Sequence, residues 1–279
     1  MIEISDKYDT STQGNFFSSP NKNLGNKMFI YSCSRIMADI LDCNLICPPN
    51  SIIRRQDQET GLYKEQIFPF GGISNRKNIT NQMFVVNDND IAAAGTLQNL
   101  INLKPNSGFF IQTYFSKYDY IKPYKNLVKD YFRNLIYPEK KEDDLIILLR
   151  NSNMASNFHL PDSFYTECLE KEKFEKLYVC LDHKTKHEKL LKKLEKYKPI
   201  FVEGDILEVF SQITTFKKII AAQGTFSFWA CFLSHAEKIY WPVTNDGPNS
   251  NNSVWGKLVN LKVDDEDRYI HINVNNIYE

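Results

Sequence analysis

Arg150 is the first residue whose position suggests chemistry. It directly follows a run of five apolar residues, 145–149, and precedes a polar loop that begins at Asn151. Such a run predicts a buried strand, and parallel sheets bind their ligands at the carboxyl ends of their strands. A guanidinium there is suited to hold a phosphate through two hydrogen bonds. The other interpretation is an exposed arginine at a strand end, and the residue pattern favours neither.

A second candidate is the turn formed by Thr225, Phe226 and Ser227 after Gly224. It connects a predicted strand, 218–222, to an apolar helix. The backbone N–H groups of a helix start and the hydroxyls of Thr225 and Ser227 would together form an anion cradle. Alternatively, Thr225 or Ser227 only caps the helix, which is the commoner arrangement for such a turn on its own. The Phe226 ring is expected in the core rather than against a base.

Weaker signals come from one glycine, one asparagine and two acids. Gly25 permits close approach of the backbone to a ligand, and Asn26 either caps the following helix or donates its amide to a sugar phosphate. Asp182 ends one predicted strand and Asp205 begins a helix, so either carboxylate is placed to accept hydrogen bonds from a ribose or a base. Asp205 fits equally well as an acid in the first turn of a helix.

Composition disfavours several classes of function. The chain has 279 residues with 34 Lys+Arg and 34 Asp+Glu, and its formal net charge of zero disfavours a nucleic-acid or anionic-membrane partner. The GxSxG, GxxxxGK[ST] and GxGxxG signatures of hydrolases, P-loop enzymes and dinucleotide-binding enzymes do not occur. The five histidines are dispersed along the chain, so the sequence does not indicate a zinc site.

The N-terminal sequence and the cysteines indicate a compartment. The first residues lack the basic and apolar regions of a secretory signal, and no apolar run reaches the ~18–20 residues that a membrane span needs. These features predict a soluble, cytoplasmic protein. The six cysteines lie in apolar segments without a CxxC motif, so we expect reduced and mostly buried thiols.

The second half of the chain alternates regularly between apolar strands and helices. This alternation predicts a parallel sheet with helices on both faces. Strands are predicted over 145–149, 176–181, 199–202, 218–222 and 239–242, and helices over 161–171, 184–197, 205–215 and 226–236.

The first half is less regular, and no topology is assigned to residues 50–107. Residues 1–24 are polar and rich in turn-forming residues. Helices are predicted over 26–41 and 120–135, and strands over 44–47 and 108–115. The charged stretch 137–144 is the best candidate for a linker. We therefore predict an α/β protein with an N-terminal domain over 1–140 and a C-terminal domain over 141–279. Alternatively, the last segment of the chain packs back on the first domain.

Several stretches, taken in order over residues 20–245, resemble the alpha-1,2-fucosyltransferase family. Residues 23–31 (NLGNKMFIY) resemble its opening G-L-G-N-Q-M-F-Q-Y, and residues 219–229 (IIAAQGTFSFW) resemble its I-I-A-N-S-T-F-S-W-W. These two stretches are fairly specific in combination. Looser counterparts of family motifs are residues 108–118, 148–153, 177–182 and 239–242, of which 148–153 falls where the family has H-x-R-R-x-D.

The resemblance implies the GT-B arrangement, in which two Rossmann-like domains face each other across a cleft. It implies a nucleotide-sugar donor held mainly by the second domain, without an obligatory metal or other cofactor. Arg150 would bind the donor diphosphate and neutralise the leaving group, with Asn151 beside it. The turn over 225–227 would hold the same phosphates, Gly25 and Asn26 would face the donor, and Asp182 or Asp205 would read the nucleoside.

The expected activity is therefore inverting, metal-independent transfer of a sugar to a glycan hydroxyl, with fucose from GDP-fucose as the first expectation. Leu148, Asn151 and Asn153 replace the His, the second Arg and the Asp of H-x-R-R-x-D. Two alternatives stay open: the same fold with another donor, such as a UDP-sugar in a xylosyl- or rhamnosyltransferase, and a non-catalytic glycan-binding relative. Asp88, Asp90 and Asp119 are candidates for the general base because they belong to the first domain.

Overall fold

The computed structural model describes residues 1–4, 23–47, 51–56, 63–74, 76, 82–104, 107–150, 160–182, 184–244 and 259–274. Asn151, a predicted site residue, lies outside the described residues. The chain forms two compact units. The first comprises Met1–Arg54 and Glu65–Tyr131, and the second comprises Arg55–Lys64 and Phe132–Glu279.

A parallel sheet forms the centre of the first unit. Its described strands are β1 (Ile2–Ile4), β2 (Leu45–Ile46), β5 (Met83–Val86) and β6 (Gly108–Ile111), and they lie in the order β2-β1-β6-β5. Two further strands, β3 (Ile52–Gln56) and β4 (Tyr63–Ile67), form a separate two-stranded sheet. The β1 strand lies inside the stretch 1–24, which was described as polar and rich in turn-forming residues and in which no strand was predicted. This strand is only three residues long, too short for alternation to reveal it.

The helices of the first unit include one long helix and several short ones. They are α1 (Leu24–Leu41), α2 (Asp88–Ala94), α3 (Leu97–Leu103), α4 (Tyr118–Ile121) and α5 (Lys125–Tyr131). The first predicted helix is confirmed, with its start two residues earlier than expected. The helix predicted over 120–135 is broken, because Pro123 lies in a 3-10 turn, Lys122–Tyr124, that separates α4 from α5.

The second unit alternates strands and helices along the chain. The strands are β7 (Lys141–Leu149), β8 (Leu177–Leu181), β9 (Ile200–Phe201), β10 (Phe216–Ile220), β11 (Lys238–Thr244) and β12 (Tyr269–Val274). The helices are α6 (Asp162–Glu170), α7 (Glu188–Leu194), α8 (Ile206–Ile213) and α9 (Thr225–Leu233). The predicted α/β class with parallel sheets is confirmed.

The strand order of the second unit is β12-β11-β10-β7-β8-β9, and every neighbouring pair is parallel. The chain therefore runs outward from β7 through β8 to β9 and returns to place β10 on the other side of β7. This reversal makes the gap between the carboxyl ends of β7 and β10 the topological switch point. Ligands of open α/β sheets bind at such points.

The apolar runs of the sequence become the core of this unit. One face of β7 and β8 packs against apolar side chains of α6 and α7. The buried residues of this cluster include Leu145, Ile147, Leu149, Val179, Leu181, Phe164, Cys168, Leu190 and Leu194. Burial on both faces explains why the strands read as continuous apolar runs.

One strand of the second unit is longer than predicted, and another was not predicted at all. The linker predicted over 137–144 was wrong for its second half, because β7 begins at Lys141. The Lys141 ammonium lies over the rings of Tyr178 and Phe216, 4.0 and 4.7 Å from their centroids, which accommodates a charged residue in a strand. The final strand, β12, was also not predicted.

The cysteines agree with the expectation from the sequence. All six are free thiols, and five of them are buried, whereas Cys47 is partly exposed. Over the ranges that the structure describes, no helix combines the length and the apolar character needed to cross a membrane.

Candidate functional site

Arg150 and the turn at Gly224 meet at the switch point of the second unit. Arg150 follows β7 directly, and Gly224 lies between β10 and α9. The two strands are neighbours, with Ile147 opposite Ile220, so both segments leave the sheet at the same edge. The structure thus brings together the two strongest candidates from the sequence.

The contact between Arg150 and Gly224 is close. A methyl group at Gly224 would overlap Nη1 of Arg150 and would lie 3.0 Å from its Cζ atom. Gly224 also has a φ of 116°, a conformation that residues with a side chain rarely adopt. Glycine is therefore required here both by the backbone and by the guanidinium. Gly224 was not among the predicted site residues, although its place between a strand and a helix was a visible signal.

The helix α9 begins after a glycine, which has no side chain to cap it. Gly224 is the N-cap residue, and its carbonyl accepts a hydrogen bond from the Phe228 N–H at 2.9 Å. Thr225 and Ser227 occupy the first turn itself, so the alternative in which either of them caps the helix was wrong. First-turn N–H groups point out of the amino end of a helix, and the Arg150 guanidinium lies against Gly224 at that end of α9.

The amino end of α8, unlike that of α9, is capped by the side chain of its N-cap residue, Asp205. Its Oδ1 atom accepts hydrogen bonds from the N–H groups of Leu207 and Glu208, both at 2.9 Å, and the Glu208 side chain accepts one from the Asp205 N–H. This capping box supports the structural interpretation of Asp205 that the sequence left open. The Asp205 carboxylate is already engaged by its own helix.

Within the part of the chain that the structure describes, the charge of Arg150 is not balanced by direct contact. Burial lowers the pKa of Arg150 below its ordinary value, and the Asp182 carboxylate acts in the opposite direction. Among the residues that the structure describes, no oxygen atom accepts a hydrogen bond from the guanidinium or forms an ion pair with it. A desolvated cation next to the positive end of a helix is unfavourable on its own, so the arrangement favours an anion between the two.

Asp182 lies one strand away from Arg150. Leu149 pairs with Leu181, so Arg150 and Asp182 follow neighbouring strands at the same level. Oδ1 of Asp182 lies 3.1 Å from Nε2 of His187, which ends a 3-10 turn, Lys184–His187, at the start of α7. His187 was not among the predicted site residues. Its position five residues after Asp182, at a strand-to-helix turn, was the signal available.

The aromatic residues beside the turn contribute mainly to the core. The Phe226 ring is half-buried and lies 5.6 Å from the Phe210 ring, in an edge-to-face arrangement. Phe228 and Trp229 are fully buried, and Ser227 is buried as well. The expectation that Phe226 packs in the core is supported by this contact.

Gly25 and Asn26 belong to the first unit. Both lie in the first turn of α1, where Gly25 is buried and Asn26 is half-buried. The N-cap residue of α1 is Asn23, so the alternative in which Asn26 caps the helix was wrong. The role of Asn26 toward a sugar phosphate stays a prediction.

The three acids considered as a general base have different surroundings. Asp90 is part of a capping box, because its carboxylate accepts a hydrogen bond from the Asn87 N–H at 2.9 Å. Asp119 is exposed in the first turn of α4. Asp88 lies just beyond the carboxyl end of β5 and accepts a hydrogen bond from the Thr113 hydroxyl. Of the three, Asp88 is the one whose carboxylate is bonded to a residue that follows the neighbouring strand β6.

Over the described part of the chain, no group of three or more His, Cys, Asp or Glu side chains could hold a metal ion. Comparisons with protein-family models and with curated proteins find no match to this chain.

Proposed function

We propose that this chain is a glycosyltransferase that transfers a sugar from a nucleotide-sugar donor to a glycan hydroxyl. The observation that carries the proposal is the position of the Arg150 guanidinium against Gly224, the N-cap residue of α9. A diphosphate fits this position because it would pair with the guanidinium and accept hydrogen bonds from first-turn N–H groups. The resemblance of residues 23–31 and 219–229 to the alpha-1,2-fucosyltransferase family makes GDP-fucose the first candidate donor.

Under this proposal the two units are the acceptor-side and donor-side domains of a GT-B enzyme. An acceptor hydroxyl attacks the anomeric carbon of the donor sugar while the bond from that carbon to the diphosphate oxygen breaks, which inverts the configuration. The bonding electrons leave with the nucleoside diphosphate, and the hydroxyl proton passes to a base, for which Asp88 is the candidate in the first unit.

The protein's contribution in the second unit would be electrostatic. Negative charge develops on the diphosphate as it departs, and Arg150 is already held where that charge would arise. Because the guanidinium is desolvated and fixed against Gly224, little reorganisation is needed during the reaction. Removal of one such preorganised donor typically costs a factor of about 10²–10³ in rate.

The first test is binding of GDP, UDP and dTDP, measured by thermal shift for the wild-type protein and for Arg150→Ala. A ligand present at 100 times its Kd stabilises a protein by about 2.7 kcal/mol, so we expect one of the three nucleotides to raise the Tm of the wild type only. Arg133→Ala is the matched control, since Arg133 is exposed and precedes the amino end of β7. A nucleotide shift that survives Arg150→Ala would contradict the proposal.

The second test is transfer itself, with release of the nucleoside diphosphate measured in the presence of glycan acceptors. A response to UDP instead of GDP would identify the alternative donor class, for example UDP-xylose. The proposed anion site would contact the phosphates and not the base, so it is compatible with both donors. Binding of glycan without turnover of any donor would identify the non-catalytic relative.

A further inference from the structure

The surroundings of Asp182 suggest a role for a histidine beyond the diphosphate site. Nε2 of His187 lies 3.1 Å from Oδ1 of Asp182, and the His187 side chain is only 10% exposed. A carboxylate can only accept a hydrogen bond, so the Nε2 atom carries the hydrogen in this contact. The histidine therefore holds the carboxylate in a fixed position at the end of β8.

That fixed carboxylate is near Arg150 without touching it. The negative charge of Asp182 favours the charged form of Arg150, although these two described side chains form no ion pair. If Asp182 swung onto the guanidinium, it would occupy the position that an incoming anion needs. An anion at Arg150 and the Asp182 carboxylate carry the same charge and therefore repel each other.

We propose that His187 is a positioning residue that holds Asp182 as a counter-charge beside Arg150, so that proton binding at His187 and anion binding at Arg150 favour each other. This inference rests on the anion site proposed above. Protonated His187 offsets the negative charge of Asp182 and so reduces its repulsion of an anion at Arg150. By linkage, the bound anion favours the protonated histidine to the same extent.

The other charged and titratable groups that the structure describes around this pair come from its own segment and from α6. Lys184 points toward β9, where its ammonium lies 5.1 Å from the centroid of the Phe201 ring. Glu188 is exposed at the start of α7. On α6, Asp162 forms an ion pair with Lys193 at 2.8 Å. The Tyr165 hydroxyl is kept neutral, because burial and then the Asp182 charge raise its pKa.

Sulfate is the probe for this coupling, because it keeps both of its charges between about pH 6 and about pH 8, the range in which histidine titrates. Its Kd is measured by titration calorimetry at constant ionic strength. We expect binding to wild-type protein to tighten about fivefold from the higher to the lower pH, the low end of typical coupling between sites. His187→Gln should bind sulfate with no such dependence, since glutamine retains a donor but does not titrate.

Two further variants make the result specific. His235→Gln is the matched control, because His235 also contacts its partner through Nε2, at 3.1 Å from the Tyr137 carbonyl, but follows the carboxyl end of α9. It should keep the full pH dependence. Asp182→Asn should lose that dependence and bind sulfate at the higher pH as tightly as the wild type does at the lower pH.

The results of these experiments distinguish a failure of this inference from a failure of the proposed anion site. Sulfate binding that is unaffected by Arg150→Met, or no binding at either pH, would overturn the anion site and this inference with it. Binding that depends on Arg150 but keeps its pH dependence in His187→Gln, or shows none in the wild type, would overturn the role of His187 alone.

Discussion

Arg150 and Arg268 place their guanidinium groups at opposite ends of the same helix, α9. Arg268 donates hydrogen bonds to the carbonyls of Phe232 and Ser234, both at 2.9 Å, at the carboxyl end. Arg150 lies against Gly224 at the amino end. A helix favours a cation at its carboxyl end and disfavours one at its amino end, by about 0.3–1 kcal/mol each. Arg268 is therefore explained by the fold, whereas the position of Arg150 favours a bound anion.

Exchange of each arginine for methionine should have opposite effects on stability. Arg268→Met removes donors from several carbonyls and should lower the free energy of unfolding by about 1–3 kcal/mol. Arg150→Met removes a desolvated cation and should raise that free energy by up to about 1 kcal/mol in the absence of ligand. Urea unfolding of the two variants measures both. An Arg150→Met variant as unstable as Arg268→Met would show that Arg150 has a structural role.

Gly224→Ala should reduce both stability and anion binding. A side chain at a φ of 116° costs about 1–3 kcal/mol, and the added methyl group also displaces the Arg150 guanidinium. Gly95→Ala separates the two effects, because Gly95 has a φ of 73° and no atom within 4 Å of an added methyl group. It should lose about 1 kcal/mol and keep nucleotide binding. Equal binding by both alanine variants would contradict the importance of the contact with Arg150.

Asp205→Ala should destabilise α8 without changing nucleotide affinity. Loss of an N-cap side chain costs about 1 kcal/mol, and Asp205→Asn should restore most of it, since asparagine caps helices about as well as aspartate. Urea unfolding and titration calorimetry with the nucleotide identified above measure the two properties. A large loss of affinity in either variant would instead show that Asp205 reads the nucleoside.

Glu172 should make stability sensitive to acid. Burial alone would raise the pKa of Glu172, but hydrogen bonds from Lys238 and Tyr240, each at 2.7 Å, outweigh burial and lower it. A carboxyl group whose pKa is lowered by folding stabilises the protein above its unfolded pKa, and this stabilisation is lost as the pH falls through the folded value. Glu172→Gln should therefore be less stable than the wild type near neutral pH, by about 1–3 kcal/mol.

The difference between these two proteins should shrink as the pH falls below about 4.3, the ordinary value for glutamate. Urea unfolding at neutral pH and in acid measures it. A difference that stays constant over this range would mean that the Glu172 charge does not contribute.

The sequence predicted β7 and β8 because their apolar runs are buried on both faces. It failed where charged residues enter strands, as at Lys141, whose ammonium is accommodated by two aromatic rings that only the fold brings near. It also failed where a short strand depends on its neighbours, as at Ile2–Ile4.

The candidate site, like the fold, could be predicted from the sequence only in part. The order of strands and helices placed Arg150 and the turn at Gly224 at strand ends, but only the strand order made them neighbours. The contact between Asp182 and His187 depends on the shape of a single 3-10 turn, which residue types do not determine.

The buried thiols make the protein suitable for covalent labelling. Burial raises the pKa of Cys47, the one cysteine that is partly exposed, to about 11, so little thiolate is present near neutral pH. A maleimide dye should therefore react mainly with a cysteine introduced at an exposed position. Ala93→Cys on α2 and Lys192→Cys on α7 provide one such position in each unit. Energy transfer between two dyes at these positions would report any movement of the units when a nucleotide binds.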